Sequence, residues 1–93
     1  MHFVWDEAKS RRNLAKHRVS FELARLVFDD PFHLSIPDPY EVEERWRTLG
    51  MVQGVVILMV VHTVEENDGE EEIRIISARK ATRLERQAYE SGD

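Results

Sequence analysis

Val55-Val-Ile-Leu-Met-Val-Val-His-Thr63 is the stretch that decides how this chain folds. Its apolar run, Val55 to Val61, is far short of the ~20 residues needed to span a bilayer. It is also crowded with β-branched side chains, which suit a pleated surface better than a helix. The run therefore predicts a central strand buried on both faces. Working backwards, a turn at Gln53-Gly54 separates it from residues 44–52. Their loose alternation puts Arg45, Arg47, Leu49 and Met51 on one side and Glu44, Trp46, Thr48 and Gly50 on the other. Working forwards, the acids of Glu65 to Glu72 read as a loop leading to a further strand over Ile73–Ser77. Short connections make these three strands an antiparallel meander. Ser77 reads as the N-cap of a closing helix from Ala78 to about Glu90, with Ala81, Leu84 and Ala88 facing inward.

The N-terminal half is helical by the same reasoning. Phe3-Val-Trp5 is an edge-strand candidate, and Asp6 reads as the N-cap of a helix from Glu7 to His17. Ala8, Ala15 and Leu14 supply a thin apolar side to that helix, while Lys9, Arg12 and Lys16 share a basic one. Ser20 caps a second, more buried helix over Phe21–Phe28, which must stop near Asp29-Asp30-Pro31 because a proline pushes its predecessor out of the helical region. Phe32–Ile36 is a short strand candidate before a turn at Pro37 and Pro39. The expectation is a single small α+β domain over residues 1–93, with an antiparallel sheet of about three to four strands, two N-terminal helices and one C-terminal helix.

Composition narrows the chemistry. The 93 residues are 42% apolar and 33% charged and contain no cysteine, which removes disulfides, thiolate chemistry and Cys-based zinc sites. With no membrane-length apolar run and no basic-then-apolar leader, the chain reads as cytoplasmic, without a membrane partner. The net charge is −5, but it is unevenly spread. Residues 6–18 hold five bases against two acids, residues 74–86 five bases against one acid, and residues 65–72 six acids and no base. Such segregation can build a basic surface on an acidic protein. The histidines form no HExxH and the glycines no phosphate-cradling loop, so neither a metal nor a nucleotide cofactor is expected. The Lys, Arg, His and Glu that remain also make up the set needed for metal-free phosphodiester cleavage. There a 2′-hydroxyl attacks its own phosphate, and the protein supplies a base, a proton donor and fixed cations. Composition permits that chemistry without singling it out.

Ordered blocks of residues are more specific. Phe3-Val-Trp-Asp6, Lys9, Asn13, Lys16-His17, Val19, Phe21-Glu22 and Val27-Phe-Asp-Asp-Pro31 together resemble the N-terminal half of the BrnT toxins of BrnT/BrnA toxin–antitoxin systems. Glu44-Arg-Trp46 with Gly50, the strand ending His62-Thr63, and Arg74-Ile-Ile-Ser-Ala-Arg-Lys-Ala81 with Glu85 and Tyr89 are similar to the second half. The resemblance covers nearly the whole chain. It implies a RelE-like fold, an endoribonuclease that inhibits translation, and neutralisation by a BrnA-like antitoxin, with operator DNA bound only by the toxin–antitoxin complex. Members commonly have Gly after the Lys-His pair and Arg two residues past the Thr that ends the central strand; Arg18 and Glu65 stand there in this chain.

The expected catalytic group is His17, Glu44, Arg45, His62, Arg74 and Arg79, and the expected RNA contacts are Lys9, Arg12, Lys16, Lys80 and Arg83. Each has a plainer reading beside it. His17 sits where a cation completes a helix C-terminus, and His62 follows a long apolar run where a satisfied core histidine also fits. Arg79 and Lys80 at a predicted helix start oppose the dipole unless a phosphate binds there, or unless Arg79 pairs with Glu44 or Glu85. Glu44 and Arg45 suit an ordinary cross-strand ion pair equally well. Trp5 and Trp46 read as core. The expected product is a 2′,3′-cyclic phosphate. The alternative from another class is a non-catalytic interaction module that binds an acidic protein partner or nucleic acid through the same basic face.

Overall fold

A computed structural model describes residues 1–92. The order of elements is β1 (His2–Val4), α1 (Glu7–His17), α2 (Phe21–Ala24) continued by a 3₁₀ turn (Arg25–Asp29), β2 (Leu34–Pro37), β3 (Trp46–Val52), β4 (Val56–Asn67), β5 (Glu70–Lys80) and α3 (Arg83–Ser91). The sheet has five strands in the order β1-β5-β4-β3-β2. It is mixed: β2 to β5 are antiparallel neighbours, and β1 joins β5 in parallel. The antiparallel sheet of three to four strands expected from sequence is thereby corrected, because the N-terminal Phe3 segment finds its ladder partner some seventy residues downstream.

Alternation along β4 divides the core in two. Leu58 and Val60 pack with Phe21, Ala24, Val27, Ile73, Ile75 and Ala78 beneath the N-terminal helices, whereas Ile57 and Met59 pack with Leu49 and Ala81 on the opposite face. The central strand is therefore covered on both sides as predicted, except that Val55 lies outside it and is 84% exposed. Gly50 is the point of closest approach between layers: a Cβ there would stand 2.7 Å from both Val27 Cβ and Val27 O. That close approach lets the 3₁₀ turn lie directly on β3.

The capping predictions at Asp6 and Ser20 hold, since Asp6 accepts the Lys9 N–H and Ser20 the Leu23 N–H. Helix α1 does not dock through Ala15 or Leu14, both of which are exposed. It docks through polar Ser10 and Asn13. Ser10 Oγ accepts the Phe21 N–H, and the Asn13 carboxamide donates to Val19 O and Ala78 O while accepting the Ala78 N–H. A side-chain amide thus pairs with the stretch of β5 that lies beyond β1.

Two further expectations are corrected. The acidic 65–72 segment is not a loop: β4 and β5 run through it, turning at Asp68 and Gly69, both at positive φ (53° and 80°) as a type I′ hairpin requires. Ser77 does not start a helix, because β5 continues to Lys80 through a bulge opposite Val61/His62. The closing helix starts at Arg83 with Thr82 as N-cap and Glu85 completing a capping box. This later start turns Leu84 outward, 77% exposed, and brings Tyr89 onto the sheet.

Candidate nucleic-acid interface

The second face of the sheet is where the cationic residues converge. Arg47 and Arg79 stand directly across the ladder from Val61 and Met59, and Arg74 from Thr63, so all three project from the face that α3 caps at one end. Arg45, two residues before Arg47, follows the same parity. Arginines thus surround a strip of Leu49, Met59 and Val61, with Ser77 across from Val61.

Acids hold these cations in place. Glu43 bridges Arg45 (2.9 Å) and Arg74 (2.8 Å), and the Arg45 guanidinium lies 3.8 Å above the centre of the Tyr40 ring. Arg47 pairs with Asp38 at 2.6 Å, and this hydrogen bond outweighs burial to set the Asp38 carboxyl below its ordinary range. Arg79 is clamped by Glu85 through two parallel bonds of 2.7 and 3.0 Å, which raise the Arg79 pKa further and lower that of Glu85. Of the two alternatives for Arg79, the pairing with Glu85 is the one present. The acid that organises Arg45 and Arg74 is Glu43, while Glu44 is exposed. Thr63, beside Arg74 on the ladder, has the only buried side-chain polar atom without a partner among the described residues.

His62 is placed elsewhere. It is 2% exposed on the helix-covered face, edge-on to Phe28, with Nε2 against Thr48 Oγ1 (2.6 Å) and Nδ1 against Thr63 O (3.3 Å). Thr48 continues to Ser35 Oγ at 2.7 Å. Burial holds the imidazole pKa below its ordinary value. These are the surroundings of a satisfied core histidine, out of reach of anything in solvent.

A second cationic region follows the edge of β5. Lys9, Arg12, Lys16 and His17 from α1 line a groove of about 490 Å³ with Asn13, Ile76 and Ser77. The sequence-predicted basic side of α1 is therefore assembled in one place. Because Ser77 belongs to both this groove and the arginine-bearing face, the two regions meet at one residue of β5. Lys80 and Arg83 are exposed at the junction between β5 and α3.

At the far end of the second face, Asp30 ties α3 down. Its carboxylate accepts the Tyr89 hydroxyl, the Met51 N–H and the Phe32 N–H. Burial would raise its pKa, but these donors outweigh burial and lower it, and the Tyr89 hydroxyl is pushed up to about 12. No group of three or more His, Cys, Asp or Glu that could hold a metal ion occurs among the described residues. Nor is any described helix long and apolar enough to cross a membrane.

The model of the family described as "Ribonuclease toxin, BrnT, of type II toxin-antitoxin system" matches residues 5–85. The chain belongs to the BrnT toxin family. It is accordingly a ribonuclease toxin of a type II toxin–antitoxin system, with RNA as substrate and an antitoxin as partner. Among solved structures it is similar to the Brucella abortus ribonuclease toxin BrnT, with 26% identity and a TM-score of 0.62 over 89% of this chain and 99% of that one. No curated protein matches the chain.

Of the residues the site uses, Glu43, Tyr40, Arg47 and Glu85 were not singled out from sequence as members. Arg47 was signalled by its alternation with Arg45, and Glu85 by the Thr82-x-x-Glu85 capping pattern. Tyr40 and Glu43 lie in an irregular connection with no period to betray them.

Proposed function

We propose that the arginine-bearing face of the sheet is the active face of a metal-independent endoribonuclease on a RelE-like scaffold, and that the α1 groove carries the RNA onto it. The observation that carries this reading is the convergence of Arg45, Arg47, Arg74 and Arg79 on one sheet face. Guanidinium groups pair with phosphate oxygens through a planar fork, and fixed cations are what the pentacoordinate phosphate requires. Leu49 and Met59 are buried, so the half-buried Val61 and the exposed Tyr40 are what this face offers a base. Lys9, Arg12 and Lys16 then contact phosphates beyond the scissile one, while Lys80 and Arg83 do so at the opposite end.

In the proposed reaction the 2′-oxygen bonds to the adjacent phosphorus as the bond to the 5′-oxygen breaks, giving a 2′,3′-cyclic phosphate and a 5′-hydroxyl. The substrate supplies its own nucleophile. His17, half-buried among cations in the groove, is the proposed proton-transfer histidine, and Glu43, which bridges Arg45 and Arg74, and its neighbour Glu44 are the proposed carboxylates; His62 has no part in it. A BrnA-like antitoxin in the cytoplasm covers the cationic face, and the complex, rather than this chain alone, binds operator DNA.

The test is cleavage of a defined RNA in excess chelator with analysis of the new ends. Cyclic phosphate ends are expected, together with a loss of about 10²- to 10³-fold in Arg79→Ala. A requirement for magnesium refutes the mechanism, and binding without cleavage favours the non-catalytic module.

A further inference from the structure

The clamp on Arg79 leaves a specific edge of its guanidinium unused. Nη1 donates to Glu85 Oε1 at 2.7 Å and to Lys80 O at 3.2 Å, and Nη2 donates to Glu85 Oε2 at 3.0 Å. A guanidinium has five N–H groups, so two remain: the Nε–H and the second Nη2–H. They lie parallel along one side of the planar group and form the side-on fork that takes two oxygens of a phosphate. Neither has a partner among the described residues, and the side chain is 33% exposed.

Glu85 is itself immobilised. Its Oε1 also accepts the Thr82 N–H at 2.8 Å and its own N–H donates to Thr82 Oγ1 at 3.2 Å, so moving the carboxylate would undo the N-cap of α3. Helix α3 in turn is fastened to the sheet at Tyr89 and Asp30. The Arg79 head group is therefore anchored at three of its five donors to a fixed helix start and a strand carbonyl. An arginine on an open sheet face would otherwise sample many rotamers.

We propose that Glu85 is a positioning residue for cleavage: it holds Arg79 end-on so that the Nε/Nη2 edge is presented, ready formed, to the phosphate under attack. This rests on the proposed active face. It differs from the view that Glu85 is a surface ion-pair partner, and from the opposite view that it occupies Arg79 and must be displaced by RNA. A competitor would be removed with a gain in binding, whereas a positioner is removed with a loss in turnover.

The experiment uses the full chain with a short RNA under single-turnover conditions, comparing Arg79→Ala, Glu85→Gln and the double variant. Gln serves at the third helical position of a capping box, so the helix start is preserved, and thermal unfolding checks this. Expected for Glu85→Gln is a fall of about 10- to 100-fold in the rate of the cleavage step with affinity for RNA little changed. In the Arg79→Ala background, Glu85→Gln should add almost nothing, because it acts through a side chain already removed. A second readout needs no turnover: the Arg79 Nε–H resonance of the unsubstituted protein should shift on adding the same sequence with a 2′-deoxy group at the scissile position, which cannot cleave. Tighter RNA binding by Glu85→Gln, an undiminished rate, additive losses in the double variant, or an unmoved Nε–H signal would each overturn the assignment. If Arg79→Ala itself cleaves normally, the active face has been misplaced, and that failure is distinct from one confined to Glu85.

Discussion

Replacing Asn13 by Leu tests whether helix α1, and the basic groove it builds, is held to the sheet by one carboxamide. Asn13 is 8% exposed and satisfies three main-chain groups, Val19 O at 2.7 Å, Ala78 O at 2.8 Å and Ala78 N–H at 3.3 Å. Leu is close to it in volume, so little cavity results, but all three groups lose their partner. A buried polar group left unsatisfied costs about 1–3 kcal/mol, with carbonyls more tolerant than N–H groups. The longest of the three bonds was weak to begin with, and the added methyl groups recover part of the loss through burial. A net loss of about 3 kcal/mol follows. A domain of this length has about 5–14 kcal/mol in total, and each kcal/mol moves its melting midpoint by about 4–8 °C. The midpoint should therefore fall by about 12–24 °C in a thermal unfolding experiment followed by circular dichroism, with the Ala78 amide losing its hydrogen-exchange protection. The Asn13→Asp variant supplies the control. At neutral pH it turns a carboxylate oxygen towards two carbonyls, and it should regain stability on acidification as the carboxyl becomes able to donate. A loss below about 1 kcal/mol for Leu, or a wild-type midpoint for Asp at neutral pH, would refute the reasoning.

Arg18 closes α1 in the left-handed region at φ 62°, where family members commonly have Gly. Arg18→Gly should raise stability by about 1 kcal/mol, read as a midpoint several degrees higher, and an unchanged or lower midpoint contradicts this account. His62 is neutral in the fold, its pKa set below the ordinary 6.5 by burial. The unfolded chain therefore takes up the proton first, so stability is fully present above that value and declines as pH falls towards the lower native one. Urea unfolding between about pH 5 and 7 should show this slope in the unsubstituted protein and a reduced slope in His62→Gln; equal slopes would disprove it. The Tyr89 hydroxyl, raised to about 12 by its hydrogen bond to Asp30 and by burial, should titrate lower once Asp30→Asn removes the charge, as followed by ultraviolet absorbance in a Tyr40→Phe background. Its share in holding α3 is present at neutral pH and lost as pH rises through the native value.

The local signals that agree with their surroundings were legible without a structure. Asp6 and Ser20 as caps, the span Glu7–His17, the apolar core of β4 and the Arg45/Arg47 alternation all follow from side-chain period and main-chain hydrogen bonding within a few residues. The Asp68-Gly69 turn and the Thr82-x-x-Glu85 box were equally local, and were passed over because six acids read as a loop and Ser77 offered an earlier cap.

What remained belongs to long-range pairing. Residues Ser77–Lys80 suit a helix by themselves and become strand because Leu58 to Val61 present an unpaired ladder, which outweighs propensity. That single choice moves Arg79 from a helix start to a sheet face and brings Glu85 within reach of it. The burial of His62 depends likewise on Phe28 and Thr48 arriving from other elements. Sequence by itself determined which residues are apolar, which are capped and which charges exist. Only the tertiary structure decided which charges meet, because that depends on strand register, and register is set by partners far away along the chain.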